Sequence, residues 1–399
     1  MSKKKKQPLP MVEAVLIDEK HISSVSPQRE AGAGNIVERS RSLGRDAQGS
    51  ESKGTKANFQ YRPPNEAGCK RFLSEHGWPS GVQEALLKSV KKLPLRYFIC
   101  DDSGSMLTND GHKVIGSGDS TKIIGCTRWS ELVSSLEFHA ELAEAAEAPS
   151  EFRLINLKKP IMLGMGAEGD NGASKEELFE LFDAGPKGQT PICEHIRAVV
   201  ADIKSMEKQL LDNKQQVAVI ISTDGEATDG DIAETMKPLE DLPAWVVIKL
   251  CTDEDKIVNY WNDIDEELEL DIDVLDDFCA EGEEVHAVNS WMTYGEPIHR
   301  LREFGAVIKE FDLLDENTLS TEQMRNVVSM LIAGYKVRSI PLPDADWKIF
   351  LDTVNSLQSS LPPVFDPRTK MLMPWVNIPN ACSVYKKPNH LKSGACTLS

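Results

Sequence analysis

The sequence predicts an α/β protein built on a doubly wound, mostly parallel sheet, with helical flanking segments and a disordered N-terminal tail. Three observations carry this. Apolar runs rich in Val and Ile, such as QQVAVIIS (215–222) and AWVVIKL (244–250), show no alternation of apolar and polar residues. That pattern marks strands buried on both faces. Stretches of helical length and period stand between such runs, and strands alternating with helices build parallel sheets covered on both sides. Finally, residues 1–58 hold no aromatic residue and are rich in Ser, Gly, Lys and Arg. Such a composition cannot offset the entropy of ordering.

The elements follow in order. Residues 66–92, EAGCKRFLSEHGWPSGVQEALLKSVKK, read as two short helices broken at HGWP, with Ser80 capping the second. PLRYFIC gives a buried strand, Leu95–Cys100. The Gly-rich stretch 109–120 reads as a surface loop open to a partner, and 129–148 as a helix. EFRLINL and PIMLG are strand candidates. GMGAEG (164–169) fits G-x-G-x-x-G by letter, yet no acidic residue roughly 20 positions on ends a second strand of a compact unit. It reads as a flexible loop beside the ligand face. ASKEELFELF is a helix with a capping box from Ser174 to Glu177. A long helix over 191–212, the strand 215–222, a helix in GDIAETMKPLE, the strand 244–250 and a helix over 254–268 come next. GAVIKEFDLL gives a late strand, and 317–335 and DADWKIFLDTVNSL give two more helices. Beyond about residue 360 the chain is Pro-rich and reads as irregular. The expected organisation is a tail at 1–60, a helical lead-in at 61–92, the α/β domain at 93–315, a helical extension at 316–360 and a second tail at 361–399.

Composition narrows the function. Hydrophobic residues make up 40% of the 399, enough for a sizeable core. The net charge of −18 argues against a nucleic-acid surface, which needs clustered Lys and Arg. Eight cysteines include no C-x-x-C pair, so zinc spacing is absent. MSKKKKQPLP has charge but no apolar core, unlike a signal peptide. No run reaches the roughly 18 apolar residues of a membrane span. A cytoplasmic, reducing location is expected. KKKK at 3–6 reads as solvated charge, and Met11–Ile17 as a lightly apolar piece of tail.

The chemistry concentrates in FICDDSGSM, 98–106. Ligands of open α/β sheets gather at the carboxyl ends of strands, where this loop begins. Asp101, Ser103 and Ser105 can turn toward one point. One carboxylate with neutral hydroxyls suits a hard cation, Mg²⁺ or Mn²⁺, with Ca²⁺ as a further candidate. Two other strand ends offer partners. KGQTP places Thr190 before the long helix, and ISTDG places Asp224 after the most apolar strand.

Asp101-x-Ser103-x-Ser105, Thr190 in a G-x-T-P loop and Asp224 in TDG resemble the metal-ion-dependent adhesion site of von Willebrand factor A domains. The resemblance covers roughly 93–315, and its motifs fall in the family's chain order. It implies a doubly wound sheet with the metal at its top. It also implies that Ser103, Ser105 and Thr190 bind the ion directly while Asp101 and Asp224 act largely through water. An Asp or Glu of an unknown partner protein then completes the coordination. Asp102 has no place in that pattern and is expected to point away from the ion.

Other readings stand beside this one. The domain could deliver a substrate to an ATPase, as in chelatase-type assemblies, although no P-loop occurs in this chain. Phosphoryl transfer by an aspartyl nucleophile would need D-x-D-x-T, and Ser103 stands at the second Asp. His139 and His195 read as structural, and no base is paired with a nucleophile, so no enzyme is expected. Residues 253–284 hold fifteen Asp or Glu and one Lys. An EF-hand begun at Asp263 would need Gly where Leu268 stands, so the stretch reads as a solvated helix face. The last four residues, CTLS, form a C-a-a-X box of the farnesyl type at Cys396. Lys386, Lys387 and Lys392 lie upstream, and Cys382 could take a second lipid. The expectation is peripheral membrane attachment through a prenylated tail.

Overall fold

The computed structural model describes residues 62–166, 174–252, 254–270, 272–334 and 339–389. The expected tail at 1–60, with its lysine run and its apolar piece, lies outside these residues, as does Cys396. The chain opens with α1 (Glu66–Glu75) and α2 (Ser80–Lys92) and then enters β1 (Arg96–Cys100). Next come β2 (Gly111–Ile115), β3 (Lys122–Cys126), α3 (Arg128–Ala146), β4 (Ser150–Leu154), β5 (Ile161–Leu163), α4 (Lys175–Asp183) and α5 (Ile192–Asp212). The second half runs β6 (Val217–Thr223), α6 (Ile232–Met236), β7 (Ala244–Leu250), α7 (Asp255–Glu267), β8 (Ile272–Leu275), α8 (Phe278–Asn289), α9 (Glu296–Glu303) and α10 (Lys309–Asp312). It closes with α11 (Thr321–Ile332), α12 (Trp347–Gln358), β9 (Val364–Asp366), β10 (Met371–Met373) and α13 (Ile378–Val384).

Six strands form one sheet in the order β5-β4-β1-β6-β7-β8, parallel except for β5. Strand order reverses at β1, between β4 and β6. The central strands are buried throughout, which is why they read as unbroken apolar runs. Alternate residues serve the two faces. Tyr97, Ile99, Val219, Ile221, Val246 and Ile248 pack with α5, α6 and α7. Phe98, Cys100, Phe152, Ile220 and Val247 pack with α3, α9 and the helices at both ends of the described chain. The lead-in is part of this second core. Gly81 of α2 lies so close to α11 that an added Cβ would stand 2.3 Å from the Met330 carbonyl oxygen.

Several expectations are corrected. Ser80 is the first residue of α2 and its cap is Pro79, which offers no side-chain hydrogen bond. The stretch 109–120 is not a plain loop: it feeds the β2–β3 hairpin, which leans on α3. Gly164 and Gly166 do not lie beside the ligand face. The antiparallel β5 carries the chain to the other end of the sheet, so they sit against Ala148 and Glu147. The late strand expected in GAVIKEFDLL is a turn and the short α10, while the last strand of the sheet is β8, inside the acidic run. The described chain from 361 to 389 is not irregular. It forms the β9–β10 hairpin and α13, which packs in the core through Ala381. Cys382 is buried there, so it cannot receive a lipid without unfolding that helix. No helix of the described residues is long and apolar enough to cross a membrane.

Candidate metal centre

The motif residues meet where the sheet reverses. β1 ends at Cys100, and the Asp101 amide still pairs with the Ser222 carbonyl of β6 at 2.8 Å. The chain then turns sharply. Asp101 Oδ1 accepts from the Ser103 amide at 2.8 Å, an Asx turn, and Oδ2 accepts from Thr223 Oγ1 at 2.7 Å. This turn throws Ser103 and Ser105 to the same side. Ser105 Oγ donates to Asp224 Oδ1 at 2.9 Å. Its one proton is thereby used, so the 2.9 Å contact between the two serine hydroxyls has Ser103 as donor. Asp101, Ser103, Ser105 and Asp224 thus form one hydrogen-bonded chain.

Thr190 joins through its loop. Gly188 has φ +94°, and a Cβ there would stand 2.2 Å from Asn156 Oδ1, so glycine is required. Its carbonyl accepts from the Gly104 amide at 3.2 Å, which seats the loop on the Asp101–Ser105 turn. The Thr190 amide donates to Thr228 Oγ1 at 3.2 Å, and its carbonyl accepts from the Thr228 amide at 2.9 Å. Asp229 then caps α5 by accepting from the Cys193 and Glu194 amides at 3.0 and 2.7 Å. Thr228 and Asp229, in a second T-D-G five residues after the first, bind the Thr190 loop to the Asp224 loop. That repeated triplet was the available signal, and the sequence reading passed over it.

Asp102 points away, as expected. Its Oδ1 accepts from the Asn156 amide and Nδ2 at 2.8 and 3.0 Å, and its carbonyl accepts from the Lys187 amide at 2.6 Å. It clamps three loops together. Arg128 was missed. It opens α3 and is 4% exposed, and it donates to Asp224 Oδ2 at 3.0 Å, to both Asp110 oxygens at 2.8 and 2.5 Å, and to Glu254 at 2.8 Å. Nothing local in the sequence marks it, because its three partners come from three separate loops.

Electrostatically the centre is short of positive charge. Burial pushes the Asp101 carboxyl up to about 6, against hydrogen bonds from Ser103 and Thr223 that favour its charged form, and Asp224 adds repulsion. Arg128 reaches only Asp224 of the pair. The donors on offer are carboxylate and hydroxyl oxygens, the set that hard divalent cations take. The residues therefore fit such an ion.

A second carboxylate cluster lies elsewhere. Oxygens of Glu281, Glu284 and Asp315 all fall within 4.8 Å of one another. Glu284 and Asp315 border a cavity of about 410 Å³, which Asp273, Asp312 and Glu316 also line. Here the chain supplies its own cation. Arg302 donates to Glu281 at 2.6 Å, to Asp273 at 2.9 Å and to Asp315 at 3.3 Å. The two histidines weighed in the sequence make structural contacts: His139 Nε2 lies 3.3 Å from Glu303, and His195 Nε2 lies 3.0 Å from the Ile155 carbonyl.

No protein-family model matches this chain, and no curated protein matches it.

Proposed function

We propose that the protein is a metal-ion-dependent protein-binding module of the von Willebrand factor A type. One observation carries the reading. Residues from three loops, Asp101 to Ser105, Thr190 and Asp224, converge at the reversal point of a six-stranded, mostly parallel sheet. That is where such sheets hold ligands. Ser103, Ser105 and Thr190 would hold a Mg²⁺ or Mn²⁺ ion directly, with Asp101 and Asp224 one shell out. The ion would supply an electrophilic centre for an outside carboxylate.

The chain's own residues do the remainder. Asp101 fixes the turn that aims both serines, and the Thr228–Asp229 pair fixes the loop that brings Thr190. Because the direct ligands are neutral hydroxyls, little negative charge competes with an incoming Asp or Glu. The test is a Mn²⁺ titration followed by electron paramagnetic resonance on wild type and Thr190→Ala. One site in wild type, weakened at least tenfold by the substitution, is expected. A pull-down from lysate in Mg²⁺ and in EDTA then identifies the partner. Equal Mn²⁺ binding by both proteins would sink the reading.

A further inference from the structure

The loops at the carboxyl edge of the sheet divide by charge. On the β4 side, the turn after β4 carries Lys158 and Lys159, and the loop before α5 carries Lys187. All three are exposed, and none forms an ion pair with a described residue. Neither 155–166 nor 184–193 contains an Asp or Glu. Both loops touch the metal turn: Asn156 bonds Asp102, and the Lys187 amide bonds the Asp102 carbonyl at 2.6 Å. Asn156 Nδ2 also joins the two loops through the Gln189 carbonyl at 2.9 Å.

On the β6–β8 side the loops are acidic. They carry Glu226, Asp229, Asp231, Glu254, Asp276 and Asp277. The cations there are already engaged, Lys256 with Glu226 at 2.6 Å and Arg197 with Asp229 at 3.4 Å. In a chain of net charge −18, the three lysines are a local exception placed against the candidate centre.

We propose that this centre takes an extended acidic segment of a partner protein. One carboxylate of the segment meets the metal, and further carboxylates run over the β4-side loops onto Lys158, Lys159 and Lys187. The inference rests on the metal-dependent reading above and adds the composition and direction of the ligand. The acidic β6–β8 loops repel the same segment, so it can leave the metal only toward β4. A nucleic-acid strand is charged on both sides of any one phosphate. It would have to cross the acidic loops, and so it fits less well.

The experiment uses the full chain and fluorescence anisotropy in Mg²⁺ at low salt. Two labelled Ser/Gly peptides are compared, one with a single Glu and one with a block of several Glu, so that the Glu at either end of the block can meet the metal with the others on one side only. The acidic peptide should bind about tenfold tighter, and the advantage should shrink with added salt. Lys158→Glu, Lys159→Glu and Lys187→Glu together should abolish the advantage while Mn²⁺ affinity does not fall. The charge-neutral Gln triple should fall between. Reversal of the remote Lys204 and Lys208 on α5, with Lys214 just beyond it, should change nothing.

Equal binding of the two peptides, or an advantage that survives the reversal, overturns the inference and leaves the metal reading standing. So does Mn²⁺ binding with no binding of either peptide. Loss of both Mn²⁺ and peptide binding overturns the two together. Tighter binding of a single-stranded DNA oligonucleotide through the same lysines also overturns the inference.

Discussion

Two clusters of buried carboxylates differ in how their charge is answered. Around Arg302, a guanidinium built into the chain touches Asp273, Glu281 and Asp315, and it is 2% exposed. Around Asp101 and Asp224, hydroxyls and amides do most of the work. Arg128 is shared with Asp110 and Glu254 and does not reach Asp101. Converging carboxylates invite a cation only where the chain has not already supplied one. A cavity lined by several acids belongs to the cluster that needs none.

This comparison breaks first at Arg302. Arg302→Met leaves Asp273 and Glu281 buried without their counter-charge, and removing one partner of a buried pair costs about 3–5 kcal/mol. Urea denaturation should show that loss; a change below about 1 kcal/mol would mean water already reaches the cluster.

The next largest effect is on pH. The folded Asp101 carboxyl, at about 6, lies above its unfolded value of 3.8. Between these values the folded state binds more protons, so in EDTA this group's contribution is present below about pH 4 and is lost as pH rises through 6. The loss is on the order of 3 kcal/mol. Asp101→Asn should flatten the stability profile over that window, and an unchanged slope would mean the centre is wetter than its burial suggests.

Metal should reverse the balance at neutral pH. At a hundredfold excess over its Kd, Mg²⁺ or Mn²⁺ should stabilise wild type by about 2.7 kcal/mol. Ser105→Ala should lose that gain, whereas Glu281→Gln should keep it. A gain that follows Glu281 instead would exchange the roles of the two clusters. The smallest effect is at Asp229, where Asp229→Ala removes the cap of α5 and costs about 1 kcal/mol. Thermal denaturation reads it, and Mn²⁺ affinity should fall as well because Thr190 is seated by the same loop.

The candidate site was legible because its letters are local. D-x-S-x-S turns on its own Asx bond, and the central strands announce themselves as apolar on both faces. What was not legible depends on distant choices. β8 hid in the acidic run because Asp273, a poor strand residue by composition, is buried on Arg302 from another element. GAVIKEFDLL looked like a strand by its apolar letters. Yet Gly305 turns with φ +74° and packs on Ala218 and Ile220, and the chain goes on into the short α10. Arg128 drew no notice for the same reason. Its meaning lies in Asp110, Asp224 and Glu254, which no local pattern joins to it. Cys382 was misread because the Pro-rich composition nearby suggested slack chain, whereas Asn377 caps α13 with its side chain and its amide donates to the Trp291 carbonyl at 2.6 Å.

The contact between Gly81 and Met330 also sets a timetable. α2 ends at Lys92, and its partner helix begins only at Thr321. At ribosomal speeds of about 5–20 residues per second, roughly ten to fifty seconds separate the appearance of the two. Through that interval α2, which carries the core residues Val82, Leu86 and Val90, has no α11 to pack against. Chaperones that bind nascent apolar helices should therefore find this chain early and release it late, and a truncation before α11 should be held by them most firmly.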